Sequence, residues 1–244
     1  MSTNTEQAII EKVRAILDRA NHPNTPAHEA DTAFTLAQKL IIKYNHDESA
    51  LADARQEVED IVTDHIDIFG KYALRRLEVC AVVAVANSCA VYRTTVRASQ
   101  WSEDGRGNFV RAKEGYQLHL YGTEKDIFAT KVLWSAVEIL GLRTIPKGDR
   151  GFRNSWWHGF KSGINKSLNN ATKQFIQESG STGVALVLRD RTQRAREELK
   201  ANVKLRSSPS SSYSRSDAFI DGHSSGNSFS TGGVGRGAIG ALGA

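Results

Sequence analysis

Residues 61–69 read IVTDHIDIF, and within them Val62, Asp64, Ile66 and Ile68 alternate with Ile61, Thr63, His65 and Asp67. A period of two puts successive side chains on opposite faces of a strand, whereas a helix needs apolar residues three and four apart. The N-terminal stretch before it has the helical period, so IVTDHIDIF turns an all-helical reading into an α/β (α+β) one. One face of this strand should be better buried than the other.

Working downstream, Tyr72 to Ser88 reads as a largely buried helix, Ala90 to Val96 as a second strand and Tyr116 to Tyr121 as a third. Between those two strands lies SQWSEDGRGNFVRAKEG, a polar, Gly-containing loop or long hairpin. Gly122 closes the third strand, and Thr123 can cap the next helix with Asp126 three residues on, a variant of the capping box. Gly141 is expected to end that helix, because glycine suits a left-handed helix terminus. A longer helix follows from Asn154 to about Ser179. Val184 to Leu188 is either a last strand or the start of the charged helix RDRTQRAREELK, since periodicity cannot decide over so short a run. The expected fold is a small mixed or antiparallel sheet of roughly three or four strands packed by helices.

Upstream, Ile9, Val13, Ile16, Leu17 and Ala20 share one helical face, as do Ala30, Ala33, Phe34, Ala37, Leu40, Ile41 and Tyr44. The linker NHPNTP between them predicts an αα-hairpin, with Thr25 capping the second helix and Pro26 at its first position. At the other end, 11 Ser and 8 Gly fill half of residues 207–244. That composition predicts a mobile tail in which Tyr213, Phe219 and Phe229 are incidental. The organisation is thus a helical hairpin over 1–52, an α/β domain over 53–206 and a flexible tail over 207–244.

Charge is unevenly distributed. Residues 1–142 hold 16 Lys/Arg and 20 Asp/Glu (16 − 20 = −4), 143–215 hold 15 and 5 (+10), and 216–244 hold 1 and 2 (−1). A concentrated surplus favours anionic partners such as DNA, RNA or an acidic protein surface. RGFRNSWWHGFKSGINKSLNNATK mixes aromatic and basic residues in the manner of a strand-binding groove. On a helical projection, however, Trp156, Trp157, Phe160, Ile164, Leu168, Ala171 and Phe175 form one core stripe, while His158, Ser162, Asn165, Lys166, Asn169 and Lys173 form the opposite, solvated face. The expected phosphate contacts are therefore Lys166, Lys173, Arg189, Arg191, Arg194, Arg196 and Lys200, not the tryptophans.

The chain carries no Walker A loop, no G-x-S-x-G elbow and no recognisable pair of catalytic carboxylates. His28-Glu29 opens like a zinc-protease helix, but Thr32 stands where the second imidazole would be. His22 and His28 alone make a weak metal site. No cofactor, metal or catalytic residue is assigned. Cys80 and Cys89 are too few for a disulfide framework and read as buried thiols. The start lacks the layout of a secretory signal and the longest apolar stretch, Val79 to Ala86, is too short to cross a bilayer, so a cytoplasmic protein without a membrane partner is expected.

The stretch IIEKVRAILDRANHPNTPAHEADTAFTLAQKLIIKYNHD resembles the N-terminal module of domain-of-unknown-function family 2786, found in bacterial and phage proteins. The pattern is carried by Ala20, the Asn/Pro/Thr linker, Glu29-Ala30, Ala37, Leu40, Tyr44 and Asn45. YGTEKDIFATKVLWSAV, SWWHGFKSGI and FIDGHSSG look more loosely similar to the companion region of such proteins. The resemblance implies a phage or mobile-element setting, and with it the host cell cytoplasm; it implies no activity and no site residue. The expectation from residues and resemblance together is a non-enzymatic accessory protein contacting nucleic acid through its basic C-terminal half. A module binding a host or phage protein and an enzyme of unrecognised type are the alternatives.

Overall fold

A computed structural model describes residues 11–13, 15, 16, 19, 22, 25, 26, 29, 32, 33, 36, 37, 40, 59–96, 101–103, 109–111, 115–179, 182–206 and 216–231. From residue 59 the elements run β1 (Val62–Phe69), α1 (Ala73–Ala86), β2 (Ala90–Val96), β3 (Trp101–Glu103), β4 (Phe109–Arg111), β5 (Gly115–Gly122), α2 (Glu124–Thr144), α3 (Arg150–Ser179), α4 (Thr182–Asn202) and α5 (Asp217–Thr231). The architecture is α+β. Three antiparallel strands form a sheet in the order β1–β5–β2, and β3 and β4 make a separate hairpin within the polar segment between the second and third predicted strands.

The register fixes the two faces of the sheet. Ile66 sits opposite Leu118, Asp64 opposite Leu120, and Leu120 opposite Val91. Ile68, Leu118 and Leu120 are buried there in one core with Leu77, Val79, Cys80 and Val83 of α1 and Ile127, Leu133, Trp134 and Val137 of α2. Both cysteines are buried and unbridged. The predicted core stripe of α3 joins the same core through Trp156, Trp157, Phe160, Ile164 and Leu168. In the N-terminal module Val13 and Ala37 are buried in it too, and the described residues there are helical at 11–13, 15, 16 and 19 and again at 29, 32, 33, 36, 37 and 40. Ile9, Leu17, Ala20, Ala30, Phe34, Ile41 and Tyr44 lie outside the described residues.

Several local expectations are corrected. Thr25 donates its hydroxyl to the Arg19 carbonyl at 2.6 Å, tying down the end of the first helical segment, and the residues whose N–H groups it would cap lie outside the described residues. Thr123 does cap α2: it accepts from the Asp126 N–H at 3.3 Å and donates to the Asp126 carboxylate at 2.8 Å. Gly141 does not end that helix, which runs to Thr144 and stops where Ile145 turns extended before Pro146. Gly141 is small because a Cβ there would lie 2.6 Å from the Trp157 ring. Val184 to Leu188 belongs to α4. His158, placed on the solvated face of α3 by projection, is 4% exposed and faces Glu78 of α1, whose carboxylate also meets Arg75 and Lys161. Burial holds the His158 imidazole below its ordinary pKa, and the nearby Arg75 acts in the same direction.

The largest correction concerns the tail. Residues 217–231 form α5, which crosses α3 at backbone contact: a Cβ on Gly159 would meet the Phe219 carbonyl at 2.0 Å, and one on Gly226 the Phe160 carbonyl at 2.3 Å. Phe229 is fully buried and Phe219 nearly so. The Ser/Gly content that predicted disorder includes Gly222 and Gly226, four apart, and Gly159 and Gly163 repeat that spacing on α3; two flat faces bring dispersion and burial that ordinary side chains would block. Residues 207–215 and 232–244 lie outside the described residues.

Candidate nucleic-acid interface

The second face of the sheet is only partly covered. Thr63, Tyr121 and Ala90 form one row across the three strands, and the next row is His65, His119 and Tyr92. α4 roofs two members of the first row, its Ala195 and Leu199 packing on Ala90 and Tyr121 with Ile61, Tyr92 and Val203 around them, while Thr63 is exposed. The second row extends beyond the roof. The Tyr92 ring stacks on His119 with centroids 4.4 Å apart and planes 7° from parallel, and His65 follows at 6.0 Å. Thr94 Oγ1 lies 2.9 Å from His119 Nε2. Partial burial pushes the His119 pKa down, and His65 beside it adds to the shift, so the imidazole is neutral at neutral pH. A third row, Asp67, Gln117 and Thr94, follows, with Asp67 and Thr94 exposed.

The position of α4 is set by Arg191. This residue is 5% exposed; its guanidinium donates to Glu59 at 2.6 Å and lies 3.5 Å from the Asp126 carboxylate. Lys125 reaches the other oxygen of Glu59 at 2.8 Å, and Arg194 donates to the Glu59 backbone carbonyl. Burial pushes the Asp126 carboxyl up to about 6 even with Arg191 and the Thr123 hydroxyl pulling it down. Arg191 is therefore withdrawn from the expected phosphate contacts, because its charge is neutralised inside the protein, and Arg194 is largely committed to Glu59. Sequence could not reveal this, since Glu59 and Asp126 lie 132 and 65 positions away.

The remaining five residues are solvent-facing, but they do not form one patch. Lys166 and Lys173 stand on α3, on the helical side of the sheet, where the described outer face carries Asn165, Asn169 and Asn170 and no carboxylate. Arg189, Arg196 and Lys200 stand on α4, on the other side. At about 100° per residue these three fall within roughly 60° of one another, whereas Asp190, Glu197 and Glu198 lie on a different flank. Arg191 leaves one side of the helix for Glu59 and Asp126, beyond the strand ends; on the projection the cationic stripe lies on the opposite side of α4. Lys204 and Arg206, not singled out from sequence, are exposed just past the end of α4, after Val203.

Among the described residues no group of three or more His, Cys, Asp or Glu side chains is arranged to hold a metal ion, and no helix is long and apolar enough to cross a membrane. His28 lies outside them.

The chain is thus an α+β protein whose small antiparallel sheet keeps one face partly open beside a cationic helix. The family model described as "Protein of unknown function (DUF2786)" matches residues 8–47, which bears out the resemblance over the N-terminal module and ends before the sheet begins. No curated protein matches the chain, and no solved structure does.

Proposed function

We propose that this chain is a non-enzymatic, nucleic-acid-associated protein, in the phage or mobile-element setting that its N-terminal module implies, and that it holds phosphates along the cationic flank of α4. The observation that carries the reading is the exposed stripe of Arg189, Arg196 and Lys200 on the flank of α4, the helix that packs on this face of the sheet, with Lys204 and Arg206 exposed just past its end. Cations spaced along one exposed flank match a run of phosphates better than cations interleaved with acids. Lys166 and Lys173 belong to a separate surface and take no part in this binding.

Binding of this kind releases condensed counterions, so log affinity falls linearly with log salt. Purified protein titrated with nucleic acid over a range of salt should show that slope. Replacing Arg189, Arg196 and Lys200 together with Ala should flatten it by about one unit for each phosphate that is no longer neutralised, while Lys166→Ala with Lys173→Ala should leave it unchanged. Absence of binding at low salt overturns the reading in favour of a module that binds another protein.

A further inference from the structure

We infer that the row His65–His119–Tyr92 is a stacking platform for unpaired bases, so that the nucleic acid bound beside α4 is single-stranded. This rests on the phosphate reading above and adds the part of the ligand that charge alone does not specify. The three residues sit on adjacent strands in one register, so their rings line up across the sheet rather than along it. The Tyr92 ring has one face against His119. Its strand, β2, is an edge of the sheet, and the ring also packs beside Tyr121 and the α4 residues Ala195 and Leu199. At the opposite edge, the His65 side chain is half exposed. The His65 end of the row can therefore be extended by a further flat ring. Every base has a π-face, and stacking on aromatic side chains holds single strands with little regard to sequence.

A duplex offers no such face, because its bases are already stacked and its outer surface is sugar and phosphate. The neutral His119 suits stacking without adding a fixed charge. The neighbouring row supplies what base edges need: Gln117 has an amide, Thr94 a hydroxyl and Asp67 an acceptor for exocyclic amino groups. α4, which carries the phosphate-binding flank, packs on the same side of the sheet as the rings and forms a wall over Ala90 and Tyr121. A strand laid along that wall has its backbone on the cations and its bases on the rings.

The test compares labelled oligothymidylate and oligouridylate of about 15 nucleotides with a DNA duplex of similar length, at several salt concentrations. Single strands should bind at least about tenfold more tightly than the duplex. Tyr92→Leu, which keeps apolar volume under α4, should weaken single-strand binding about tenfold with an unchanged salt slope, and Tyr92→Phe should restore it. His65→Ala, at a half-exposed position, should weaken it as well and serves as the decisive variant if Tyr92→Leu does not fold. Equal affinity for duplex and single strand with a steep salt slope leaves the phosphate reading standing and overturns the platform. So does wild-type binding by a folded Tyr92→Leu, or by His65→Ala where Tyr92→Leu does not fold. Failure to bind either form at low salt removes both.

Discussion

The backbone carbonyl of Phe219 lies where the side chain of any residue larger than glycine at position 159 would have to go, since a Cβ on Gly159 would stand 2.0 Å from that oxygen. The reciprocal contact holds at Gly222, whose Cβ would stand 2.0 Å from the Trp156 carbonyl. No rotamer change relieves a collision with backbone, so one helix has to back away from the other.

Gly159→Ala and Gly222→Ala should each destabilise the fold by about 1–3 kcal/mol, although alanine is the better helix former by roughly 1 kcal/mol. Gly151→Ala is the control. It lies in the first turn of α3 with only an Asp149 carboxylate oxygen at 3.3 Å. Urea denaturation should place it within about 0.5 kcal/mol of the parent. Loss of stability at all three positions would show that the crossing is not what makes glycine necessary.

Ending the chain at Ser216 removes α5, whose Gly222 lies against the Trp156 backbone, and uncovers Trp156, 1% exposed in the full protein. The truncated protein should melt more than about 5 °C lower, with red-shifted tryptophan emission before melting. An unchanged midpoint would mean that α5 contributes nothing to the core that Phe229 enters.

Arg191→Ala should cost about 3–5 kcal/mol, because it strands Asp126, itself 2% exposed, without its cation. Arg196→Ala, on an exposed face, should fall within about 0.5 kcal/mol of the parent. Similar losses for the two would contradict the assignment of Arg191 to the interior.

Asp126 also gives a pH signature. Its folded carboxyl is raised to about 6 from an ordinary 3.8, so the folded state holds the proton more tightly than the unfolded one. The stability this group contributes is present below about pH 4 and is lost as pH rises through about 6. Asp126→Asn should therefore lack that decline when the free energy of unfolding is measured from about pH 4 to 7. A variant that declines as the parent does would show that another group titrates there.

Cys89 is buried, with its thiol pushed up to about 12, and Cys80 is raised as well, both by burial first. Since the thiolate is the reactive form, a maleimide should label neither at neutral pH until denaturant opens the core. Rapid labelling of the native protein would show that α1 opens locally.

What the amino-acid order reveals and what it hides divide along contact distance. The alternation of IVTDHIDIF, the cap at Thr123 and the aromatic stripe of α3 are local patterns, and each reappears in the structure because one face of the element is buried and the other is not. Arg191 looks like any surface arginine until Glu59 and Asp126 are brought to it across the chain. The rings of His65, His119 and Tyr92 become neighbours only through strand register. The helix at 217–231 is hidden differently: by composition Gly and Ser signify ordering entropy, yet at Gly222 and Gly226 small residues are the means of close approach, a signal visible in the matching spacing of Gly159 and Gly163.

The hydrogen bond between Ser155 and Ser216 joins residues 61 positions apart, at the mouth of the α3–α5 crossing. A ribosome delivers the chain in order, so the aromatic face of α3 emerges well before the helix that shields it. For that interval the nascent protein presents Trp156 and Phe160 without their cover, and chaperone demand should peak there. Translation that terminates early in this region yields a sticky product rather than a slightly shorter one, which makes the arrival of α5 the checkpoint of biogenesis.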